Sequence, residues 1–504
     1  MNQFDVAIIG LGPAGSMAAL LLESYGMKVL CIDKERDIYN LPRAVTISDQ
    51  GFRMAQLVGI DEIYLKNSTI LGGAYFSDKN LEIIGGAIDL QGFISANGWP
   101  PSSLFHQPYT DRDIRNKLES SNVEIILEHE FISLNQTQES VSFKTINLKN
   151  QKEIEFTSRY LIGSDGGSSA VRKQLDIQQE DLNYNRDWVV IDVELNNPDK
   201  LGDKLIQVCD KDRLATFVPS HLPFRRWEFI IHENEDRDSF LEDKVIHELI
   251  SKWLKPKEYR IIRKAVYQFH SVIAKNFQKG NCFLIGDAAH QAPPFMGEGM
   301  MSGYRDATNL SWKIATSIKN KLSMNLINSY EIERIPHSRF VVENSAGIGE
   351  LMEAYAEAET PEHVPQEYVQ KGYGSFILPN LTKGLFFGGK ADKSMHAGEI
   401  FPQPVEYENK EIIKRMDYIL GKNFSLISSS SFDISEDNYK FLELLECKLV
   451  ILEKKHIEEN PWINSFMEKN KTYLVRPDRY IFGSTNSNIT VDLLINDLKM
   501  RLMN

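Results

Sequence analysis

Cysteine is scarce in this sequence. Its four residues, Cys31, Cys209, Cys282 and Cys447, stand far apart, with no C-x-x-C pair and no spacing that would gather metal ligands. That argues against a disulfide framework, a metal site or a dithiol redox centre, and fits buried apolar side chains in a reducing compartment. Long apolar runs are missing too, and no unbroken stretch of about 18 apolar residues reads as a membrane span. Asp5–Leu22 is apolar, but it lacks a basic leader and is interrupted by Gly10, Gly12, Pro13 and Gly15, so it does not read as a signal peptide. Clustered positive charge is also absent. With 57 Lys and Arg against 70 Asp and Glu, the net charge is −13, which argues against a nucleic-acid partner. A cytoplasmic protein is expected.

What is present starts with ordinary globular composition, 42% hydrophobic and 25% charged over 504 residues, enough for two or three domains. Phe4–Ile9 reads as a buried parallel strand. Gly10-Leu11-Gly12-Pro13-Ala14-Gly15 follows as G-x-G-x-x-G, then a helix over Ser16–Tyr25 ended by Gly26, then a second strand, Lys28–Ile32, ending at Asp33 and Lys34. This βαβ unit fits a dinucleotide site: the first glycine makes the turn, the second admits the pyrophosphate, and the third packs helix on strand. Asp33 falls where an acid would hold ribose hydroxyls. The unit does not choose between NAD and FAD.

Two further stretches carry similar chemistry. The strand Arg159–Ser164 runs into Asp165-Gly166-Gly167 and Arg172. The strand Cys282–Ile285 runs into Gly286-Asp287, a turn stiffened by Pro293 and Pro294, then Gly297 and Gly299, with helical spacing from about Met300. A carboxylate at a strand end thus faces a helix N-terminus, whose unpaired N–H groups and dipole suit an anion or an electron-rich ring.

The three motifs, in this order, resemble those of the FAD-dependent aromatic hydroxylases, the single-component flavoprotein monooxygenases of the para-hydroxybenzoate hydroxylase type. The similarity is nearest to the branch containing 3-(3-hydroxyphenyl)propionate hydroxylase. The resemblance implies that Asp287 binds the ribityl chain and that Gly299-Met300-Met301 faces N1 and O2 of the flavin. Pro294 and Gly297 would lie close to the isoalloxazine. Pro42-Arg43-Ala44 matches a segment whose arginine, here Arg43, lies beside the flavin or pyrophosphate. Gln107 falls at a glutamine that contacts FAD, and Asp165 at an aspartate that serves FAD and NAD(P)H while tying segments together. Phe224-Arg225-Arg226-Trp227-Glu228-Phe229 resembles an R-R-W-E-F segment. Arg226 and Trp227 are its candidates for the substrate pocket, with Trp227 and Phe229 on one strand face and Arg226 and Glu228 on the other.

The implied architecture is α/β. A Rossmann-like FAD-binding domain would occupy 1–75, 105–187 and 264–345, and a mostly antiparallel β substrate domain 76–104 and 188–263. A helical connector would follow over 346–400, then a thioredoxin-like αβ domain over 401–504 that lacks C-x-x-C and serves packing or homodimer formation. The implied reaction is hydroxylation of a small phenolic or other electron-rich aromatic substrate. NADPH or NADH reduces FAD, O2 adds at flavin C4a as a hydroperoxide, and the distal oxygen is transferred. The group that takes the phenolic proton is not named by the sequence. The chain departs from the branch at Glu298, where a glutamine is usual, and Glu298 is expected to point outward. Met300-Met301 replaces smaller residues, with the backbone N–H groups retained. A reductase or dehydrogenase of related fold stays open, as does a tailoring or inactivating monooxygenase acting on a large natural product. A tryptophan halogenase is disfavoured because no W-x-W-x-I-P segment is present.

Overall fold

A computed structural model describes residues 3–322, 324–374, 378–408, 411–458, 460–469 and 471–503. Its first sheet is built on β1 (Gln3–Ile9), an apolar run flanked by strands on both edges. β1 pairs in parallel with Glu153–Gly163 on one side and with β2 (Val29–Asp33) on the other. Cys282–Leu284 and Glu124–Leu127 extend the parallel order outward. Parallel strands covered on both faces call for continuous apolar sequence, as in Val29–Ile32 of β2 and in Cys282–Leu284. Between β1 and β2 lies helix α1 (Pro13–Ser24), opened by proline at its first turn, where no N–H is needed.

The second sheet has eight strands and is antiparallel except where Lys204–Val208 meets Gly73–Ser77. At its centre Gln179–Leu195 pairs with Tyr259–Ala274 and with β3 (Phe224–Ile231). Alternation divides its faces. Trp227 and Phe229 pack with Val189, Ile191 and Val193 under the helix Asp243–Ile250. Arg226 and Glu228 lie on the opposite face, toward the first sheet's cavity.

Two long helices follow, α2 (Gly299–Asn320) and Asn325–Glu357. The C-terminal part carries a four-stranded mixed sheet in the order Lys448–Ile451, Ser425–Ser428, Thr472–Val475, Ile481–Ser484. Buried ion pairs join the C-terminal part to the rest of the chain. Glu333 accepts from Lys313 at 2.7 Å and from both terminal nitrogens of Arg476, and Asp417 pairs with Arg53 and Arg479.

Several sequence expectations shift at their ends. The second strand, expected over Lys28–Ile32, spans Val29–Asp33, and the one expected over Cys282–Ile285 ends at Leu284. The helix expected over Ser16–Tyr25 starts three residues earlier, at Pro13, because proline suits a first turn. Cys447 is half-buried rather than buried, whereas the other three cysteines are buried. No helix among the described residues is long and apolar enough to cross a membrane.

Candidate functional site

A cavity of about 1700 Å³ runs from the C-terminal ends of β1 and β2 to the polar face of the second sheet. At its first end the glycines divide their labour by geometry. Gly10 has φ +99, and a Cβ there would meet the Ser164 carbonyl oxygen at 2.5 Å. A Cβ on Gly15 would meet the Gly10 carbonyl oxygen at 2.0 Å, so the third glycine lets α1 lie on the strand ends. Gly12 differs: nothing lies within 4 Å of its would-be Cβ, which opens into the cavity. Its backbone, with Pro13 and Ala14, presents the helix N-terminus there. The Asp33 carboxylate accepts from Leu11 N at 2.6 Å and from Glu35 N at 2.8 Å, which fixes it at the rim beside Lys34.

The middle of the cavity is shaped by the other two motifs. Asp165 lines the wall, but its carboxylate accepts from Ser169 Oγ, Ala170 N and Val171 N, ordering its own loop. Arg172 then donates to the Ala288 carbonyl at 2.8 Å and ties that loop to the Gly286-Asp287 turn. Asp287 is exposed, though into the cavity rather than on the outer surface, and the surrounding protein raises its pKa by desolvation. Beneath it, Ala14, Gly286 and Gly303 meet so closely that a Cβ on either glycine would lie 3.0 Å from the Ala14 methyl. Asp306 braces the same turn, accepting from Gly286 N, His290 Nε2 at 2.7 Å and Arg334 Nε at 2.8 Å.

Pro294, Gly297, Gly299 and Met300 line the cavity, and α2 begins there with no side chain capping it. Its first N–H groups have no intrahelical acceptor by geometry. Met301, expected beside them, does not line the cavity: its side chain is fully buried against Gly51. Glu298 does not point outward as expected: its side chain is 12% exposed and held by Arg305 Nη2 at 2.6 Å. Opposite charge within hydrogen-bond reach explains that inward position.

Arg43 borders the cavity with its guanidinium over the Tyr39 ring, 4.2 Å from the centroid. Gln107 also lines it, yet its Oε1 accepts from Arg43 N and Ala44 N, and its Nε2 donates to Asp111 at 3.0 Å. Gln107 therefore fixes the Arg43 loop as well as facing the cavity. Asp111 is pushed up to about 7 by burial, against the lowering effect of Gln107.

The far end is a chamber walled by Tyr75, Phe76, Leu205, Val218, Phe295 and Ile348, with Gln207, Thr216, Arg226 and Glu228 as its polar row. Arg226 lines it as expected but is not free. It holds Asp192 through Nε and Nη2 and donates to the carbonyls of Arg43 and Pro42, each at 2.7 Å. Arg263 also donates to the Pro42 carbonyl and to Asp192. Trp227 is not at the cavity. It is fully buried on the opposite face, 5.1 Å from the Phe217 ring and 5.8 Å from that of Trp253, because alternation sends it away. Sequence reasoning missed Asp306, Asp192, Arg263 and Asp111. For Asp306, Asp192 and Arg263 the available signal was an acid or arginine among apolar neighbours, a position that demands a partner, whereas Asp111 lies in the charged helix Gln107–Glu119 and gave no such signal.

The residues fit FAD. An open-sided glycine at a helix N-terminus, an acid at the end of β2 and an uncapped second helix start line one continuous cavity. Comparison agrees. A profile described as "FAD binding domain" matches residues 3–345. The chain is 30% identical to the 3-(3-hydroxy-phenyl)propionate/3-hydroxycinnamic acid hydroxylase of Escherichia coli, covering 84% of this chain and 78% of that one. It is 26% identical to the "Probable NADH-specific resorcinol 4-hydroxylase" of Rhodococcus jostii, covering 95% and 91%. Among solved structures, a ternary complex of aklavinone-11 hydroxylase with FAD and aklavinone superposes with TM-score 0.80 over 100% of both chains at 18% identity, a likeness of fold. The chain belongs to the FAD-binding-domain family of flavoprotein aromatic hydroxylases.

Proposed function

We propose that this protein is an NAD(P)H-dependent monooxygenase that uses FAD and O2 to hydroxylate a phenol or another electron-rich aromatic compound. The observation that carries the reading is continuity: one cavity joins the dinucleotide-binding end to an enclosed chamber beside α2. FAD, when bound and reduced, supplies the oxygen activation and transfer. The chain supplies the rest. Gly12, Pro13 and Ala14 would admit the pyrophosphate, Asp33 and Lys34 the adenosine end, and Asp287 the ribityl hydroxyls. The uncapped N–H groups of Gly299, Met300 and Met301 would stabilise negative charge on the flavin. Arg43, held by Gln107 and Arg226, would sit between flavin and chamber. Tyr75, Phe76 and Leu205 would keep water from the reacting ring.

In this reading 1–75, 105–187 and 264–345 bind FAD, 76–104 and 188–263 enclose the substrate, and 346–400 connects to a thioredoxin-like 401–504 that packs rather than exchanges disulfides. The reducing cytoplasm is the compartment we assign, with a homodimer as the proposed assembly. Arg226 is the only cation lining the chamber among the described residues, and it is already engaged by Asp192 and two carbonyls. That favours a neutral phenol, such as the resorcinol named for one relative, over a phenolic acid. The test is oxidation of NADH and NADPH by the flavin-loaded protein, with O2 uptake, across neutral phenols, phenolic acids and polycyclic phenols. Stimulation by one phenol with a hydroxylated product supports the reading. Reduction of a substrate without O2 uptake would turn it to a reductase.

A further inference from the structure

The chamber contains one acid whose carboxylate has no hydrogen-bond partner among the described residues. Glu228 projects from β3 into the cavity, is 4% exposed, and pairs through its backbone in the sheet while its side chain stays out of the hydrogen-bond network. Its nearest cation is Arg226, with Nη1 3.9 Å from a carboxylate oxygen. Arg226 uses Nε, both Nη2 donors and one Nη1 donor on Asp192, Pro42 and Arg43, which leaves a single Nη1 N–H on the side of Glu228. Across the neighbouring strands Glu228 stands in a row with Thr216 and Gln207, whose side chains bond each other at 2.6 Å. A buried carboxylate that accepts no hydrogen bond is costly unless a ligand or a proton completes it.

We propose, resting on the monooxygenase reading above, that Glu228 takes the hydroxyl proton of the phenolic substrate in the chamber. The phenol O–H bond breaks, the proton binds a Glu228 carboxylate oxygen, and the electron pair stays on the phenolate oxygen. That charge enriches the ring carbons ortho and para to it, where oxygen is transferred. The proton returns to oxygen when the product ring regains its hydroxyl. Other acids of the cavity are placed for other work. Asp192 is engaged by Arg226 and Arg263 and Glu298 by Arg305, whereas Asp33 stands at the dinucleotide-binding end and Asp165 and Asp287 in the middle of the cavity. His106 is stacked on Phe224 with ring centroids 4.3 Å apart, and burial lowers its pKa to about 4.

The protonation state suits the role. Burial pushes Glu228 up to about 7, with Arg226 and Arg263 opposing and Asp192 from the adjacent strand reinforcing. A base in this range is poised between holding and releasing a proton near neutrality.

The experiment compares wild type, Glu228→Gln and Glu228→Asp as FAD-loaded enzymes, with resorcinol as first probe and 4-nitrophenol as second. Product formation is followed as a function of pH. Wild type should show a rising limb near pH 7 as Glu228 ionises. Glu228→Gln should bind FAD, lose that limb and form product about 100-fold more slowly, while Glu228→Asp restores both in part. A Glu228→Gln enzyme with wild-type rate and limb overturns the assignment. If that variant does not hold FAD, the wild-type profile decides, and a flat profile between pH 6 and 8 overturns it. If wild type hydroxylates neither these probes nor any other phenol, the monooxygenase reading itself falls and Glu228 falls with it.

Discussion

Adding one methyl group to Gly12 or to Gly15 should separate cofactor binding from folding. Gly12 has φ −70 and ψ −176, a backbone that alanine adopts freely, and nothing in the protein lies within 4 Å of the new Cβ. Gly12→Ala should therefore fold with the stability of wild type when FAD is absent. Whatever it loses must come from the ligand approaching that backbone. Forcing a methyl into a close-packed contact costs about 1–3 kcal/mol, equivalent to roughly 5–150-fold weaker FAD binding at about 1.4 kcal/mol per tenfold. Gly15→Ala is the opposite case. Its Cβ would fall 2.0 Å from the Gly10 carbonyl oxygen and 2.6 Å from Ser164 Oγ, and a backbone oxygen has little room to move. Gly15→Ala should lower the urea midpoint of the FAD-free protein by at least the same 1–3 kcal/mol. The assay is flavin fluorescence titration beside urea unfolding of the FAD-free proteins. Wild-type FAD affinity in Gly12→Ala would refute the placement of the pyrophosphate over Gly12.

Three further outcomes follow from other parts of the structure. Asp287→Ala should keep the fold and lose tight FAD binding, measured as flavin retained through gel filtration; full occupancy would sink that assignment. Desolvation raises the Asp287 pKa in the empty cavity, and its carboxylate form accepts hydroxyl donors, so FAD affinity should weaken as pH falls through that raised range. Glu333→Gln leaves Lys313 and part of Arg476 uncompensated inside the protein. Breaking such a pair costs about 3–5 kcal/mol, read as a lowered urea midpoint, and an unchanged midpoint contradicts the account of how the C-terminal sheet is held.

Features governed by local backbone demands were legible in the sequence. Gly10, Pro13 and Asp33 announce a strand, a turn and a helix start within about 30 positions of one another, and the Gly286-Asp287 and Asp165-Gly166 turns do the same at two other strand ends. Pairings across long sequence separations were not legible. Arg226 bonds Asp192 34 positions away and the Pro42 carbonyl 184 positions away, and neither leaves a periodic trace. An arginine taken as a substrate-pocket candidate is thus also a strut beneath the Arg43 loop. Glu298 was misjudged for the same reason, since Arg305, seven positions on, becomes its neighbour only once α2 has formed. Strand alternation did separate Arg226 and Glu228 from Trp227, but which face met the cavity depended on helix Asp243–Ile250 covering the other.

The most direct test of the central claim is isotopic. The FAD-loaded protein would turn over NADH or NADPH with a stimulating phenol under ¹⁸O2 in ordinary water, and the product would be analysed by mass spectrometry. The account predicts one labelled oxygen in the new ring hydroxyl for each product molecule. Product whose new oxygen comes from water, or phenol-stimulated turnover with no oxygenated product at all, would contradict it.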